Sequence, residues 1–302
     1  MVQGTPIGSD LAPSAAQPAR PHLGLSPGAC DTHLHVFGDA ARYPLDARRN
    51  YTPAPAALAD YRAVAAACGI ERAVLVQPSV YGTDNRCMLD TLRDAARDGG
   101  SVVFRGIAVP EAGTSDADLE AMHALGVRGI RLNLVNPQVL DVDAALAMAA
   151  RMQQRGWHLQ AQIAVHGKGE AQLAQLAQGA ARIGVALVVD HMGRPSPGTN
   201  PAALLELLAA GGVWVKLSAP YRNSRLPAPG HADLVPLVRA FVAANPDRLL
   251  WGSDWPHTEL ATAPPRVADL VDLLAAWVPD ESIRHKICVA NPARLYDFWS
   301  RP

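Results

Sequence analysis

From residue 29 onward, short apolar runs rich in β-branched and aromatic residues alternate with longer Ala- and Leu-rich stretches of helical period. Such alternation is the pattern of parallel strands joined by crossover helices. The short runs predict strands over residues 30–36, 73–77, 102–109, 129–134, 158–164, 186–190, 213–217 and 249–252. Helices are predicted over 56–68, 86–98, 115–125, 142–155, 170–182, 201–210, 232–244 and 265–277, with a terminal helix after Asn291 and Pro292. Their punctuation agrees: Thr114 and Ser115 stand ahead of Asp118 and Glu120, Gly69 and Gly126 follow helix ends, and Pro201 occupies a first turn. Eight βα units in one chain predict an α/β fold, a (β/α)8 TIM barrel. An open doubly wound sheet is the structural alternative, but the first strand runs into Phe37, Gly38 and Asp39 where that fold would carry a Gly-rich phosphate loop.

Composition narrows the partners. Of 302 residues, 49% are hydrophobic and 18% charged, enough to bury a large core and too apolar for a disordered scaffold. A formal net charge of -1 without a Lys/Arg block argues against a nucleic-acid or membrane-surface binder and leaves small molecules as the expected partners. Cys30, Cys68, Cys87 and Cys288 show no CxxC spacing and read as buried thiols of a protein in the reducing cytoplasm. Residues 1–28, rich in Pro, Ala, Gly and Ser, lack the basic and apolar regions of a signal peptide; they read as a flexible leader to a single domain over 29–302. No stretch reaches the ~18 uninterrupted apolar residues of a membrane span, and nothing in the chain sets an oligomeric state.

In a barrel, catalytic side chains come from the C-terminal ends of several strands. His33 and His35, two apart on the first strand, share a face while Leu34 points away. The second strand leads to Ser79 and to an Asp84–Asn85–Arg86 turn. The fourth carries Arg128 and Arg131, and an arginine within an apolar strand needs an anionic partner, either a structural ion pair or a substrate carboxylate. The fifth supplies Gln160 and Gln162; the sixth ends in Asp190 and His191, with Gly193 and Pro195 turning the chain around Arg194. After the seventh, Arg222 lies nearer the strand tip than Arg225 and is the better anion ligand. The eighth delivers Asp254 between Trp251 and Trp255, whose apolar bulk would raise its basicity, which makes Asp254 the candidate general base.

Taken in order, these residues resemble the amidohydrolase superfamily, in its lactonase branch. The likeness runs from about Asp31 to Tyr296. It passes through Asp-Thr-His-Leu-His at 31–35, Tyr51, the 84–86 turn, Gly-Val-Arg-Gly-Ile-Arg at 126–131, Asp-His-Met-Gly-Arg-Pro at 190–195, Gly-Ser-Asp-Trp-Pro-His at 252–257 and Asn-Pro-Ala-Arg-Leu-Tyr at 291–296. The resemblance implies a distorted barrel and a hydrolase that opens a carboxylated lactone like 2-pyrone-4,6-dicarboxylate. By position, Asp254 would activate water, and His33, His35 and His191 would face the scissile carbonyl. Arg128, Arg131 and Arg222 would bind carboxylates, Tyr51 and Ser79 would complete the pocket, and Arg194 and His257 are further candidates for substrate contact. Gln162 stands where the branch has an aromatic hydroxyl, so the anionic lactone is expected to be a relative of the pyrone, acidic or sugar-derived. A metal-dependent non-oxidative decarboxylase and a sugar-acid lactone isomerase of the same superfamily are the alternative activities.

His33, His35, His191 and Asp254 could also build a mononuclear zinc or manganese site, in which the metal acidifies its water and Asp254 takes the proton. A binuclear site bridged by a carbamylated lysine is not expected, since Lys168, Lys216 and Lys286 are the chain's lysines and none lies at the tip of the fourth strand. The lactonase branch works without metal, and the resemblance therefore implies that no metal is required.

Overall fold

Eight strands lie side by side, every ladder parallel, in the order of the chain: β1 (Cys30–Leu34), β2 (Arg72–Val76), β3 (Val103–Ala108), β4 (Val127–Asn133), β5 (His158–Gln162), β6 (Leu187–Val189), β7 (Trp214–Ser218) and β8 (Leu249–Gly252). A computed structural model of the chain describes residues 19–135, 140–196, 198–226, 230–260 and 262–299. Helices α1 (Leu58–Cys68), α2 (Arg86–Asp98), α3 (Asp116–Ala124), α4 (Val142–Met152), α5 (Lys168–Ile183), α6 (Ala202–Ala209), α7 (Val235–Ala244) and α8 (Val267–Trp277) follow the strands. This is the (β/α)8 barrel read from the sequence, with element ends that differ from the expected ones by three residues at most.

The differences have local causes. The first strand leaves its ladder after Leu34 because the next amide, His35 N–H, donates to Trp255 O (2.8 Å) across the barrel seam. At the C-terminus the helical run starts earlier than expected, as α9 (Glu281–His285), a π turn over Lys286–Ala290, and α10 (Asn291–Leu295). Pro292 has no N–H to return to a carbonyl one turn back, and the wider π turn ahead of it absorbs that break. The expected leader falls outside the described residues up to residue 18. Further along, the backbone amides of His22 and Leu23 donate to Asp272 of α8 (2.8 and 3.0 Å), and Gly28 N–H donates to Glu71 (2.9 Å).

Strand alternation sorts the core into two layers. Ala73 and Leu75 of β2 face the helices, whereas Val74 and Val76 turn into the barrel with Ile107, Val188 and Leu250. The ring of Tyr296 plugs the lower end of this inner cluster, and Arg105 straps it by donating to the carbonyls of Tyr296 (3.2 Å) and Asp297 (2.7 Å). Above lies a polar layer: Lys216, Gln160, His158 and Asp190 are all buried inside the barrel. Lys216 Nζ donates to Thr32 O and Gln160 Oε1 (2.8 Å each) and lies 3.5 Å from Asp190 Oδ1. Burial pushes Lys216 down to about 8 against the pull of Asp190.

His158 packs edge-on against the Tyr296 ring with its ring nitrogens unpaired among the described residues, and burial pushes it down to about 3. In the unfolded chain it protonates near pH ~6.5. The unfolded state therefore binds the extra proton first as pH falls, and stability on the order of 5 kcal/mol is lost from about pH 6.5 down to about pH 3. Urea titrations of His158→Leu at neutral and mildly acid pH should show a smaller loss over that window than the parent chain; an equal loss would assign the acid lability to other groups.

Candidate active site

The site is assembled at the seam where β1 meets the end of β8. Asp254 N–H donates to His33 O (2.8 Å), and Thr32 Oγ1 donates to Trp251 O (2.8 Å). Beneath this seam the fully buried Asp31 accepts from Ser253 N–H (2.9 Å), Ser253 Oγ (2.5 Å), His33 N–H (3.1 Å) and Tyr61 OH (3.0 Å). Gly252 is required for the approach: a Cβ there would lie 2.8 Å from His33 Cβ and 3.0 Å from His33 N. Asp254 itself takes a left-handed φ of 62°, which swings its carboxylate out of the strand direction into the mouth.

Three imidazoles meet that carboxylate. Asp254 Oδ1 lies 3.6 Å from His33 Nε2, 3.6 Å from His35 Nε2 and 3.8 Å from His191 Nε2. Its other oxygen is tied down, accepting from Tyr221 OH (2.7 Å) and Arg222 Nε (3.2 Å). His35 Nδ1 faces Val76 O at 2.7 Å; a carbonyl only accepts, so Nδ1 carries a proton and Nε2 is the ring nitrogen turned to the site. His33 Nδ1 rests between Asp190 Oδ1 (3.3 Å) and Lys216 Nζ (3.4 Å), and His191 Nδ1 pairs with Ser218 Oγ (2.9 Å). Burial pushes His191 down to about 4 even with Asp254 beside it. Burial alone would raise Asp254, yet the His191 ring and the Arg222 guanidinium hold its carboxyl well below the usual carboxylate range. Near neutral pH the site thus holds an ionised Asp254 and a neutral His191. The apolar flanks of Trp251 and Trp255 do not raise Asp254, because charged neighbours outweigh desolvation.

Around these atoms opens a narrow, polar cavity. His35, Tyr51, Ser79, Arg131, Gln162, His191, Arg222 and Asp254 all line it. Arg131 is held by donation to Gln77 O (3.1 Å) and Gln162 Oε1 (2.6 Å), with Nε 3.6 Å from Asp190 Oδ2. Since a guanidinium has five N–H groups, it still presents donors to the cavity. Arg194 is partly buried and within electrostatic reach of Arg222, Glu259 and Asp254. His257 stands behind the wall, its Nδ1 3.3 Å from Tyr221 OH.

Arg128 is not brought to this group. It donates to His123 O (2.9 Å) in the last turn of α3 and lies 3.5 Å from Asp297, at the barrel end opposite the mouth. Three residues apart on a strand, Arg128 and Arg131 cannot share a face. The Asp84–Asn85–Arg86 turn is tied within itself and to β3: Arg86 clasps Asp84 (2.6 Å), and Asn85 Oδ1 accepts from Val109 N–H (2.8 Å). Tyr221, Thr258, Glu259 and Asn133 were not among the expected site residues, yet Tyr221 holds the aspartate and the other three line the cavity. For Tyr221 a signal existed, since it directly precedes Arg222 just past β7.

Asp254 Oδ1 and His33 Nε2 are buried without hydrogen-bond partners, and the donor atoms of His33, His191 and Asp254 lie within 4.8 Å of one another. Tetrahedral ligands at about 2.1 Å from an ion stand about 3.4 Å apart, close to the histidine separations around Asp254 Oδ1. The residues present fit a single divalent cation, and equally a water molecule that donates to Asp254 Oδ1.

A family model described as amidohydrolase matches residues 30–298. The chain is 35% identical over 297 residues to a 2-pyrone-4,6-dicarboxylate hydrolase of Comamonas testosteroni, covering 93% of this chain and 94% of that relative. It is 37% identical over 280 residues to a 4-sulfomuconolactone hydrolase of Rhizobium radiobacter, covering 89% and 90%. Among solved structures, an apo protein of Agrobacterium tumefaciens superposes with a TM-score of 0.77 at 27% identity, covering 92% of this chain and 98% of the other.

The seam makes a direct demand on Gly252. Gly252→Ala should push β8 away from His33, lowering kcat at least ~100-fold through misplacement of Asp254 and costing about 2 kcal/mol of stability. Steady-state kinetics and a urea melt measure both; parental kcat in a folded Ala variant would contradict this account of the seam.

Proposed function

The chain belongs to the amidohydrolase family, and on that premise we propose that it hydrolyses the ring ester of an acidic lactone, a small anionic molecule of the class its relatives' names describe. One observation supports this reading above the others: the two oxygens of Asp254 are treated differently. Oδ2 is fixed by Tyr221 and Arg222, while Oδ1 is buried, ionised and without a hydrogen-bond partner, facing the imidazoles. That is the state of a general base awaiting a proton.

In the proposed reaction a water donates one proton to Asp254 Oδ1 as its oxygen adds to the lactone carbonyl. The lone pair of His35 Nε2 accepts the water's other hydrogen and orients it. Negative charge then grows on the carbonyl oxygen, and the positive charge of the Arg222 guanidinium at the cavity wall stabilises it. When the tetrahedral intermediate collapses, the ring C–O bond breaks and the departing oxygen takes the proton from Asp254. The carboxylate is regenerated, and the product is an open-chain acid. Arg131 is the best placed group to hold a substrate carboxylate, with Tyr51, Ser79 and Gln162 shaping the remaining wall.

A zinc or manganese ion, when bound, would be held by His33, His35, His191 and Asp254 and would polarise the carbonyl and acidify water. The steps above use protein groups alone, and in our reading no metal is required. All four cysteines are free and buried, and no helix among the described residues is long and apolar enough to cross a membrane. We place the protein in the reducing cytoplasm, consistent with those thiols.

Asp254→Asn should lower kcat on a carboxylated lactone by at least ~1,000-fold in chelator-dialysed protein, with the circular dichroism spectrum unchanged. Near-parental turnover by the variant would remove Asp254 as the base. Loss of turnover on dialysis of the parent chain, restored by zinc or manganese, would instead make the cation essential.

A further inference from the structure

The cavity carries one carboxylate that the hydrolytic steps do not use. Glu259, in the loop after β8, lines the cavity together with Arg131 and Ser79. Its Oε1 accepts from Asn50 Nδ2 (2.9 Å), its Oε2 lies 3.7 Å from Arg222 Nη1, and its backbone takes a left-handed φ of 60°. The carboxylate is therefore held at the rim by a neighbour and by loop geometry, with its side chain 30% exposed.

Its position changes what Arg222 can do. Arg222 already donates Nε to Asp254 Oδ2 (3.2 Å) and Nη2 to Thr258 O (3.1 Å). With Glu259 on the remaining nitrogen, the guanidinium sits between two carboxylates and has little capacity for a third. Of the charged residues that line the cavity, Arg131 and Arg222 stand against Asp254 and Glu259, and both carboxylates lie on Arg222. Uncompensated charge in low dielectric is costly, so a substrate carboxylate needs a cation of its own. Among the lining residues described, Arg131 can supply that cation for one carboxylate, and a second carboxylate has none.

We propose that Glu259 is a specificity-determining residue that selects lactones bearing a single carboxylate, seated on Arg131, and a hydroxyl that donates to Glu259. A second carboxylate at the rim meets a like charge, whereas a hydroxyl there gains a charge-assisted hydrogen bond. The inference rests on the acidic-lactone reading above and narrows it to hydroxylated monocarboxylates.

The test uses inert single-ring acids, so that binding is read without turnover. Isothermal titration calorimetry at low salt compares 3-hydroxybenzoate with benzene-1,3-dicarboxylate on the parent chain, E259Q and E259A. The parent chain should bind the hydroxy acid more tightly. E259Q should bind the dicarboxylate about five- to tenfold more tightly and the hydroxy acid about threefold more weakly, with E259A weaker still for the hydroxy acid. Affinities that move together for the two acids, that do not move, or that are absent in the parent chain would overturn the proposal. Failure to open any lactone would count against the hydrolase reading, and the calorimetric comparison would still decide the role of Glu259.

Discussion

The barrel closes on a few backbone hydrogen bonds between β1 and the residues just past β8, and the site depends on that closure. His33 and Asp254 are 221 positions apart in sequence, yet the Asp254 amide bonds directly to the His33 carbonyl. Asp31 makes the contact stiff by accepting four hydrogen bonds from both sides of the seam and from Tyr61. Its burial raises its carboxyl in spite of those donors, so the seam is held by geometry and hydrogen bonding as much as by charge. The base we propose and its histidines, placed on two such segments, inherit the rigidity of the backbone, which is what general-base catalysis needs from a scaffold.

Under the seam, the barrel interior is unusually polar. Lys216, Asp190, Gln160 and Arg131 form one connected group beneath His33. Opposite charges at this depth offset one another, and removing one partner would strand the other at a cost of about 3–5 kcal/mol. The same group acts on function through position: Asp190 and Lys216 hold the His33 ring at Nδ1, and Gln77 and Gln162 fix the plane of the Arg131 fork. Stability and chemistry are thus coupled through a single network.

Much of this was legible in the sequence because two periodicities do most of the sorting. Alternation on the strands placed His33 and His35 on one face and identified the strand tips at His191 and Asp254 as the mouth. The same rule, applied to β4, would have separated Arg128 from Arg131: their odd spacing puts them on opposite faces, and Arg128, at the start of β4, lies at the far end of the barrel. Tyr221 and Glu259 lie in loops, where no periodicity marks which side chains turn inward, and Glu259 is turned by a left-handed backbone angle that its residue type does not announce. The electrostatic sign at Asp254 was also beyond the local sequence. Two flanking tryptophans suggest a raised carboxyl, and only the folded chain brings Arg222 and the histidines close enough to reverse it.

In the proposed reaction, water activated at Asp254 Oδ1 attacks a lactone carbonyl held between the histidines and the arginines. This step is tested most directly by turning over a carboxylated lactone in oxygen-18 water and weighing the product. Hydrolysis by this route puts one heavy oxygen in the newly formed carboxylate of a ring-opened acid. A rearranged lactone without heavy oxygen would show acyl transfer within the substrate, and release of carbon dioxide would show decarboxylation; either result would contradict it.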